Sequence, residues 1–267
     1  INYPQIRLFT VGQCFYSPVP LTSLRSVEQP WETASPGTVA RGGMFGVFSA
    51  VCWFMGRQVA DANPGLPIGL ISSTRGGSPI AEWVAGGQQA CGAPTKQGHY
   101  FNTQIAPFAL GPTALTAFAW YQAEADTKDA ASARSYACTF PALIKGWRAA
   151  FKAPEDTGEK YFGFVQLSTW CATPGDSVAQ MRDAQMAAAS LPNVGWATNA
   201  DHGCGCAIHP HNKRPCGTRL GNSVLALVYN KSLPWKSPTY ASSTASTTGG
   251  NTVLTVRLAD AGPLELR

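Results

Sequence analysis

Leu66-Pro67-Ile68-Gly69-Leu70-Ile71-Ser72 runs directly into Ser73-Thr74-Arg75-Gly76-Gly77-Ser78-Pro79, and the reading of this junction decides the fold class. The first seven residues are almost uniformly apolar, the pattern of a short strand buried on both faces rather than one with a wet side. The polar, glycine-rich turn ends that strand, and Pro79 fits the first turn of a helix reaching Trp83. Outward from here the same alternation recurs. Residues 6–11 (IRLFTV), 115–121 (LTAFAWY), 161–167 (YFGFVQL) and 194–198 (VGWAT) predict further short buried strands. Helical spacing of apolar residues predicts helices over 45–59, 130–151 (interrupted near Pro141), 178–191 and 217–229. Residues 18–43 show no clear period and predict a long connection. Short buried strands alternating with helices imply an α/β fold, a mainly parallel sheet covered on both faces in three α/β/α layers. In such folds ligands sit at the carboxyl ends of the strands.

The chain has 267 residues, 45% of them hydrophobic, enough for a sizeable core. Only 13% are charged, about half the roughly 25% of ordinary soluble domains. The net charge of +5 is spread over scattered lysines and arginines. It forms neither the basic stripe of a nucleic-acid binder nor a patch for anionic membranes. No apolar run reaches the ~18–20 residues of a membrane span. The sequence opens at Ile1 without a methionine, inside what reads as a strand; a mature secreted protein or a truncated one begins this way.

After Lys231 the character changes. Residues 237–250 are rich in Ser, Thr and Gly, and 252–258 (TVLTVRL) alternate like a half-buried antiparallel strand. The expected division is therefore an α/β domain over 1–231 and the start of a β-rich unit over 232–267.

Eight cysteines are many for a cytosolic enzyme of this size. Cys204-Gly-Cys206 and Cys216, with His202, His209 and His211 nearby, invite a zinc reading. The Cys-x-Cys spacing is tighter than the usual Cys-x2-Cys and no second pair completes a site, so disulfides or buried thiols are expected instead, with no metal. Asn230-Lys231-Ser232 is an N-glycosylation sequon.

Three clusters fall in strand-end loops. Gly76-Gly77 either presents backbone N–H groups to a developing oxyanion or is simply a tight turn. Gln122 and Glu124 follow the 115–121 strand, where an amide can donate to an oxyanion and a carboxylate can fix a neighbouring loop; a capped helix start is the other reading. His209, in Ala207-Ile208-His209-Pro210, suits a general base, with His202 and His211 as competitors. A base of this kind needs an orienting carboxylate, and Asp201 is the nearest one upstream. The missing group is a nucleophile: Gly12-Gln13-Cys14 follows a strand, yet nothing nearby argues for an activated thiol at Cys14.

At these motifs the sequence resembles carbohydrate O-acetyl esterases of the sialate O-acetylesterase type, within the Ser-Gly-Asn-His (SGNH) hydrolases. The blocks that carry the resemblance are YPQIRLFTV at 3–11, SAVCWFMGR at 49–57, PIGLISSTRGGSPIAEW at 67–83, WYQAE at 120–124, CTFPALI at 138–144, FGFVQL at 162–167 and IHP at 208–210. They stand in one order over most of residues 3–230. The resemblance implies a flavodoxin-like SGNH fold and serine/histidine acyl transfer on O-acetylated sialic acids or related sugars. It implies His209 as base, donors near Gly76, Gly77 and Gln122, Glu124 beside them, Asp201 as orienter, no cofactor, and a lysosomal or secreted setting. Three departures matter. The family's Gly-Gln-Ser-Asn-Met nucleophile block belongs before the strand matched by residues 6–11 and is absent, so the chain as given is expected to be inactive and to lack the first strand of the domain. Ala123 stands where the family has glycine, and Asp126 where it usually has asparagine. The rival readings are a non-catalytic carbohydrate-binding relative, and an esterase acting on another glycan such as acetylated xylan.

Overall fold

The computed structural model describes residues 2–13, 16–43, 46–85, 91, 98–111, 113–153, 156, 158–173, 175–203 and 205–259; Cys14, Cys204 and the expected helix start at Phe45 lie outside them. The strands are β1 (Tyr3–Val11), β2 (Val27–Ala34), β3 (Ile68–Ser72), β4 (Ala117–Trp120), β5 (Tyr161–Val165), β6 (Val194–Ala197), β7 (Thr239–Thr248) and β8 (Asn251–Ala259). The helices are α1 (Pro36–Val39), α2 (Ala50–Ala62), α3 (Ala106–Leu110), α4 (Ala130–Ala150), α5 (Ser177–Met186) and α6 (Arg214–Leu227).

The sheet is mixed and comes in two parts. β4, β5 and β6 are parallel neighbours in that order, while β1 pairs parallel with β3 and antiparallel with β2. β2 falls in the stretch expected to be a plain connection. It is an edge strand, VEQPWETA, with five of its eight residues exposed. An edge strand tolerates Pro30 and has no apolar face to announce it.

β5 shows why the strand runs are so apolar. All five of its residues are buried. Phe162 and Phe164 enter one core cluster with Phe140, Leu143, Ile144 and Trp147 of α4 and Met181 of α5. Tyr161 and Val165 enter another with Val51 and Met55 of α2 and Cys216, Leu220 and Val224 of α6. Helices therefore cover both faces, giving the expected three layers. α2 and α6 touch backbone to side chain: a Cβ on Gly217 would lie 2.5 Å from the Phe54 Cβ and 2.9 Å from the Val51 carbonyl oxygen.

α4 runs without interruption through Pro141, contrary to the expected break. Phe140, Leu143 and Ile144 are fully buried around that proline. Full burial of such side chains is worth roughly 1.5–3 kcal/mol each, against the ~3 kcal/mol a mid-helix proline costs. Packing decides the conformation.

Two disulfides are present, Cys91–Cys138 and Cys171–Cys206. Among the described residues Cys52 and Cys216 are free thiols, both against the α2/α6 core. Cys206 is thus committed to Cys171, and the Cys216 thiol donates to the Lys213 carbonyl. No described helix is long and apolar enough to cross a membrane.

β7 and β8 form an antiparallel hairpin, the expected β-rich segment; the Ser/Thr stretch proves to be the partner strand of TVLTVRL. Tyr240 opposite Leu258, Ser243 opposite Val256 and Ala245 opposite Leu254 give one face a line of large apolar side chains. Tyr240, Leu254, Val256 and Leu258 are all exposed. Just before the hairpin, Trp235 packs edge-on to Trp196 of β6 with centroids 5.2 Å apart.

Candidate active site

The glycine turn is built by its neighbours. Ser78 is 7% exposed. Its hydroxyl donates to the Arg75 carbonyl across the turn at 2.7 Å and accepts from Trp83 Nε1 at 2.8 Å. Gly77 has φ +72°, a left-handed conformation that explains this glycine, with open space where a Cβ would stand. Gly76 and Gly77 are exposed. Among the described residues no backbone acceptor is seated on either N–H. Both therefore stand ready to donate hydrogen bonds to an incoming oxygen.

Gln122 joins this turn to the end of β4. Its Nε2 donates to the Ser78 carbonyl at 3.0 Å and to Asp126 Oδ2 at 2.7 Å, and its Oε1 accepts from the Tyr136 hydroxyl at 3.1 Å. Both amide hydrogens are thereby engaged inside the protein, so the side chain acts as a brace for the glycine turn. The same Asp126 oxygen accepts from the Ile80 backbone N–H at 2.8 Å. Burial raises the Asp126 pKa, opposed by these hydrogen bonds and by Lys128.

Ala123 is fully buried with φ +124° and ψ −7°. Such a backbone is costly for any residue with a Cβ. Bonds from the Asp126 N–H and the Thr127 hydroxyl to the Ala123 carbonyl hold it there. This turn aims Glu124 outward from the strand end.

His209 is held between buried Ile208 and Pro210. Its Nε2 lies 3.8 Å from Glu124 Oε1; the histidine side chain is 57% exposed and the glutamate 24%. Glu124 has a raised pKa, burial outweighing the attraction of His209 and Lys213. Lys213, in turn, sits over the Tyr121 ring at 5.2 Å, and Tyr121 accepts from Asn199 Nδ2 at 2.9 Å. Asn199, Lys213 and Tyr136 were not singled out from the sequence; each works through partners remote in the chain, and no local motif marks them.

Asp201 faces elsewhere. Both of its oxygens bind Arg219, at 2.8 and 2.6 Å, and His202 Nε2 lies 3.4 Å away. Arg219 holds the Asp201 pKa below its ordinary value. The same arginine donates to the Thr198 carbonyl at the end of β6, so Asp201 and Arg219 pin the base of the loop that carries His209. The Cys171–Cys206 disulfide and the Thr169 hydroxyl bonded to the Gly205 carbonyl at 2.6 Å fasten its far side. His211 is exposed. Among the described residues no group of three or more metal-binding side chains gathers.

The structure thus brings Gly76, Gly77, Gln122, Glu124 and His209 into one connected arrangement, through Ser78 on one side and the Glu124 carboxylate on the other. Known proteins share the fold that carries it. A crystal structure of a carbohydrate acetylesterase from Xanthomonas citri superposes with a TM-score of 0.79 at 29% identity, over 96% of this chain and 56% of that one. A protein from Arabidopsis thaliana shares the fold at a TM-score of 0.56 and 20% identity. Sialate O-acetylesterase of Homo sapiens is 31% identical over 88% of this chain and 50% of its own length, and that of Rattus norvegicus 29% identical over 88% and 53%. The chain spans about half the length of these curated relatives. The family profile described as "Carbohydrate esterase, sialic acid-specific acetylesterase" matches residues 16–228. With most of its length inside that profile, the chain belongs to the sialic acid-specific acetylesterase family of carbohydrate esterases.

Proposed function

We propose that these residues form the greater part of the active site of an O-acetyl esterase for sialic acids or related sugars, with His209 as general base and Glu124 as the carboxylate that orients it. The observation that carries this reading is the Glu124–His209 pair at 3.8 Å, linked through the 122–126 turn to the exposed N–H groups of Gly76 and Gly77. A serine oxygen attacks the acetyl carbonyl while His209 takes its proton. The glycine turn receives the oxyanion, and the histidine returns the proton to the departing sugar hydroxyl. Water then cleaves the acetyl-serine by the same route, releasing acetate and the serine. Gln122 positions the turn, and Asp201 positions the histidine loop through Arg219.

The serine is not supplied by a Gly-Gln-Ser block of this sequence. Two features support a serine-bearing strand seated between β3 and β4. Each of those strands is bonded on one side only among the described residues. Next to β3, the Ser72 hydroxyl and both amide atoms of buried Gln104 have no partner among the described residues. Residues 1–231 are then the esterase domain without that strand, and the hairpin begins a second β-rich unit. The disulfides and the sequon at exposed Asn230 favour a secreted or lysosomal setting.

Release of acetate from an O-acetylated sialic acid tests the proposal. Residues 1–267 alone should release none; the same residues joined to the family's serine-bearing segment should release it. There His209→Ala should cost ~100 to 10,000-fold in turnover, and His211→Ala far less. Equal losses from the two substitutions would exclude His209 as base. Hydrolysis by residues 1–267 that disappears in Cys14→Ala would make Cys14 the nucleophile and overturn the proposal.

A further inference from the structure

We propose that the cavity between Ile80, the 126–128 segment and the first two turns of α4 is a second binding site, one for a neutral polyhydroxyl ring. Its ligand is a pyranose that needs neither an acetyl group nor a charge to be held. The site is separate from the arrangement around His209 and stands or falls without the esterase reading.

The cavity has a volume of about 270 Å³, and its walls include Ile80, Asp126, Lys128, Ser132, Ser135 and Tyr136. Gly76, Gly77, Glu124 and His209 are not among them. Ser132, Ser135 and Tyr136 share one face of α4, spaced three and four residues apart. Ile80 is 5% exposed and Tyr136 1%. The Tyr136 hydroxyl already donates to Gln122 Oε1 and accepts from Trp120 Nε1, which leaves only its ring for a ligand.

The other polar groups keep capacity to spare. Asp126 commits Oδ2 to the Ile80 N–H at 2.8 Å and to Gln122 Nε2 at 2.7 Å, while among the described residues no donor is bonded to its Oδ1. The Ser132 hydroxyl donates to Asp129 Oδ1 at 3.0 Å and the Ser135 hydroxyl to the Cys91 carbonyl at 3.5 Å. Each of these oxygens retains lone pairs. Lys128 is exposed, and among the described residues no carboxylate pairs with it.

A ligand therefore meets three acceptors and one ammonium donor above an apolar floor. Hydroxyl groups both give and take hydrogen bonds, so a ring carrying several of them satisfies Asp126 and the serines while accepting from Lys128. An anion stands against Asp126, a cation stands against Lys128, and an apolar ring strands all four groups. The volume lies just under the ~300–1,000 Å³ of sites for drug-sized molecules, which suits one sugar ring rather than two. The occupant also loads Asp126, the carboxylate that holds the Gln122 brace.

The test is a titration of residues 1–267 with galactose, read from the amide resonances. Galactose should bind saturably at millimolar concentration, with its largest shifts at Lys128, Ser132 and Ser135. Ser135→Leu puts an apolar side chain into the cavity and removes one acceptor; it should weaken binding at least ~10-fold with little change in melting temperature. Lys128→Met, on the exposed rim, gives a second reading and should weaken binding roughly 5-fold. Unchanged affinity in both variants, largest shifts at Gly76, Gly77 and His209, or no saturation up to ~50 mM galactose each overturns the assignment. So does tighter binding of galactosamine or galacturonate than of galactose, because one charge, Asp126 or Lys128, would then govern the cavity.

Discussion

Gln122→Ala should unfasten the glycine turn at a cost that can be worked out from its contacts. The side chain is 8% exposed and serves three buried partners, the Ser78 carbonyl, the Asp126 carboxylate and the Tyr136 hydroxyl. Asp126 keeps the Ile80 N–H and Tyr136 still accepts from Trp120, so neither is wholly stranded. Each lost bond to a buried group costs about 1–3 kcal/mol, which puts the total near ~3–6 kcal/mol. At roughly 2–4 °C per kcal/mol for a domain of this size, melting should fall by about 6–24 °C. Gln122→Glu gives the sharper test. Its carboxyl keeps the Tyr136 bond but stands against Asp126, where the amide nitrogen was 2.7 Å away. The new acid has a folded pKa above its unfolded one. The penalty is therefore absent below the unfolded value and grows as pH rises toward the folded one, by at most about 1.4 kcal/mol per pH unit for one proton. Calorimetric melts of wild type and both variants across pH 4 to 8 (roughly the range over which carboxyls in such pairs titrate) would read both effects. A Gln122→Ala shift under ~2 °C, or a Gln122→Glu penalty independent of pH, would refute the bracing role.

Three other outcomes follow from the same geometry. Glu124 has a pKa raised by burial above its ordinary 4.5, so its ionised form weakens the fold above that pH; Glu124→Gln should melt higher than wild type at pH 7, with the gap closing as pH falls through 4.5, while lowering turnover of the serine-completed enzyme more than Asp201→Asn does. Ala123→Gly should relieve a backbone strain of ~1–3 kcal/mol against ~1 kcal/mol of added chain entropy, so melting should stay level or rise; a fall of several degrees would mean that the buried methyl matters more than the φ of +124°. Replacing Cys171 and Cys206 together by serine removes a cross-link between residues 35 apart, worth about 4 kcal/mol by loop entropy, and hydrogen exchange should rise first in residues 198–212.

Some of this architecture was legible in the sequence because burial on both faces leaves a mark. β5 and β3 could be located because a strand between two helix layers cannot afford polar residues, and the glycine turn because Gly77 needs a positive φ. β2 was missed for the opposite reason: an edge strand with Glu28, Gln29, Pro30 and Glu32 carries no apolar period. β7 was hidden by its Ser and Thr residues, which a fully exposed strand tolerates. Within the site, His209 stood out by its Ile-His-Pro setting. The carboxylate beside it lies 85 positions earlier in the chain, and proximity in sequence pointed to Asp201 as the orienter. No periodicity reports that Arg219 claims both oxygens of that aspartate, or that both hydrogens of the Gln122 amide are already used.

The C-terminal hairpin has a consequence for how the molecule behaves in company. Tyr240, Leu254, Val256 and Leu258 form a flat apolar ribbon along one face of two strands, and no described strand pairs with their outer edges. A surface of that kind is a template, able to recruit an identical ribbon edge to edge and to grow by repetition. Arg257, on the opposite face, is the only charged side chain between Asn251 and Ala259 and does little to repel a second copy. The fold therefore carries its main colloidal hazard outside its core. Crowding would select for whatever shields this ribbon as strongly as for the packing of the core.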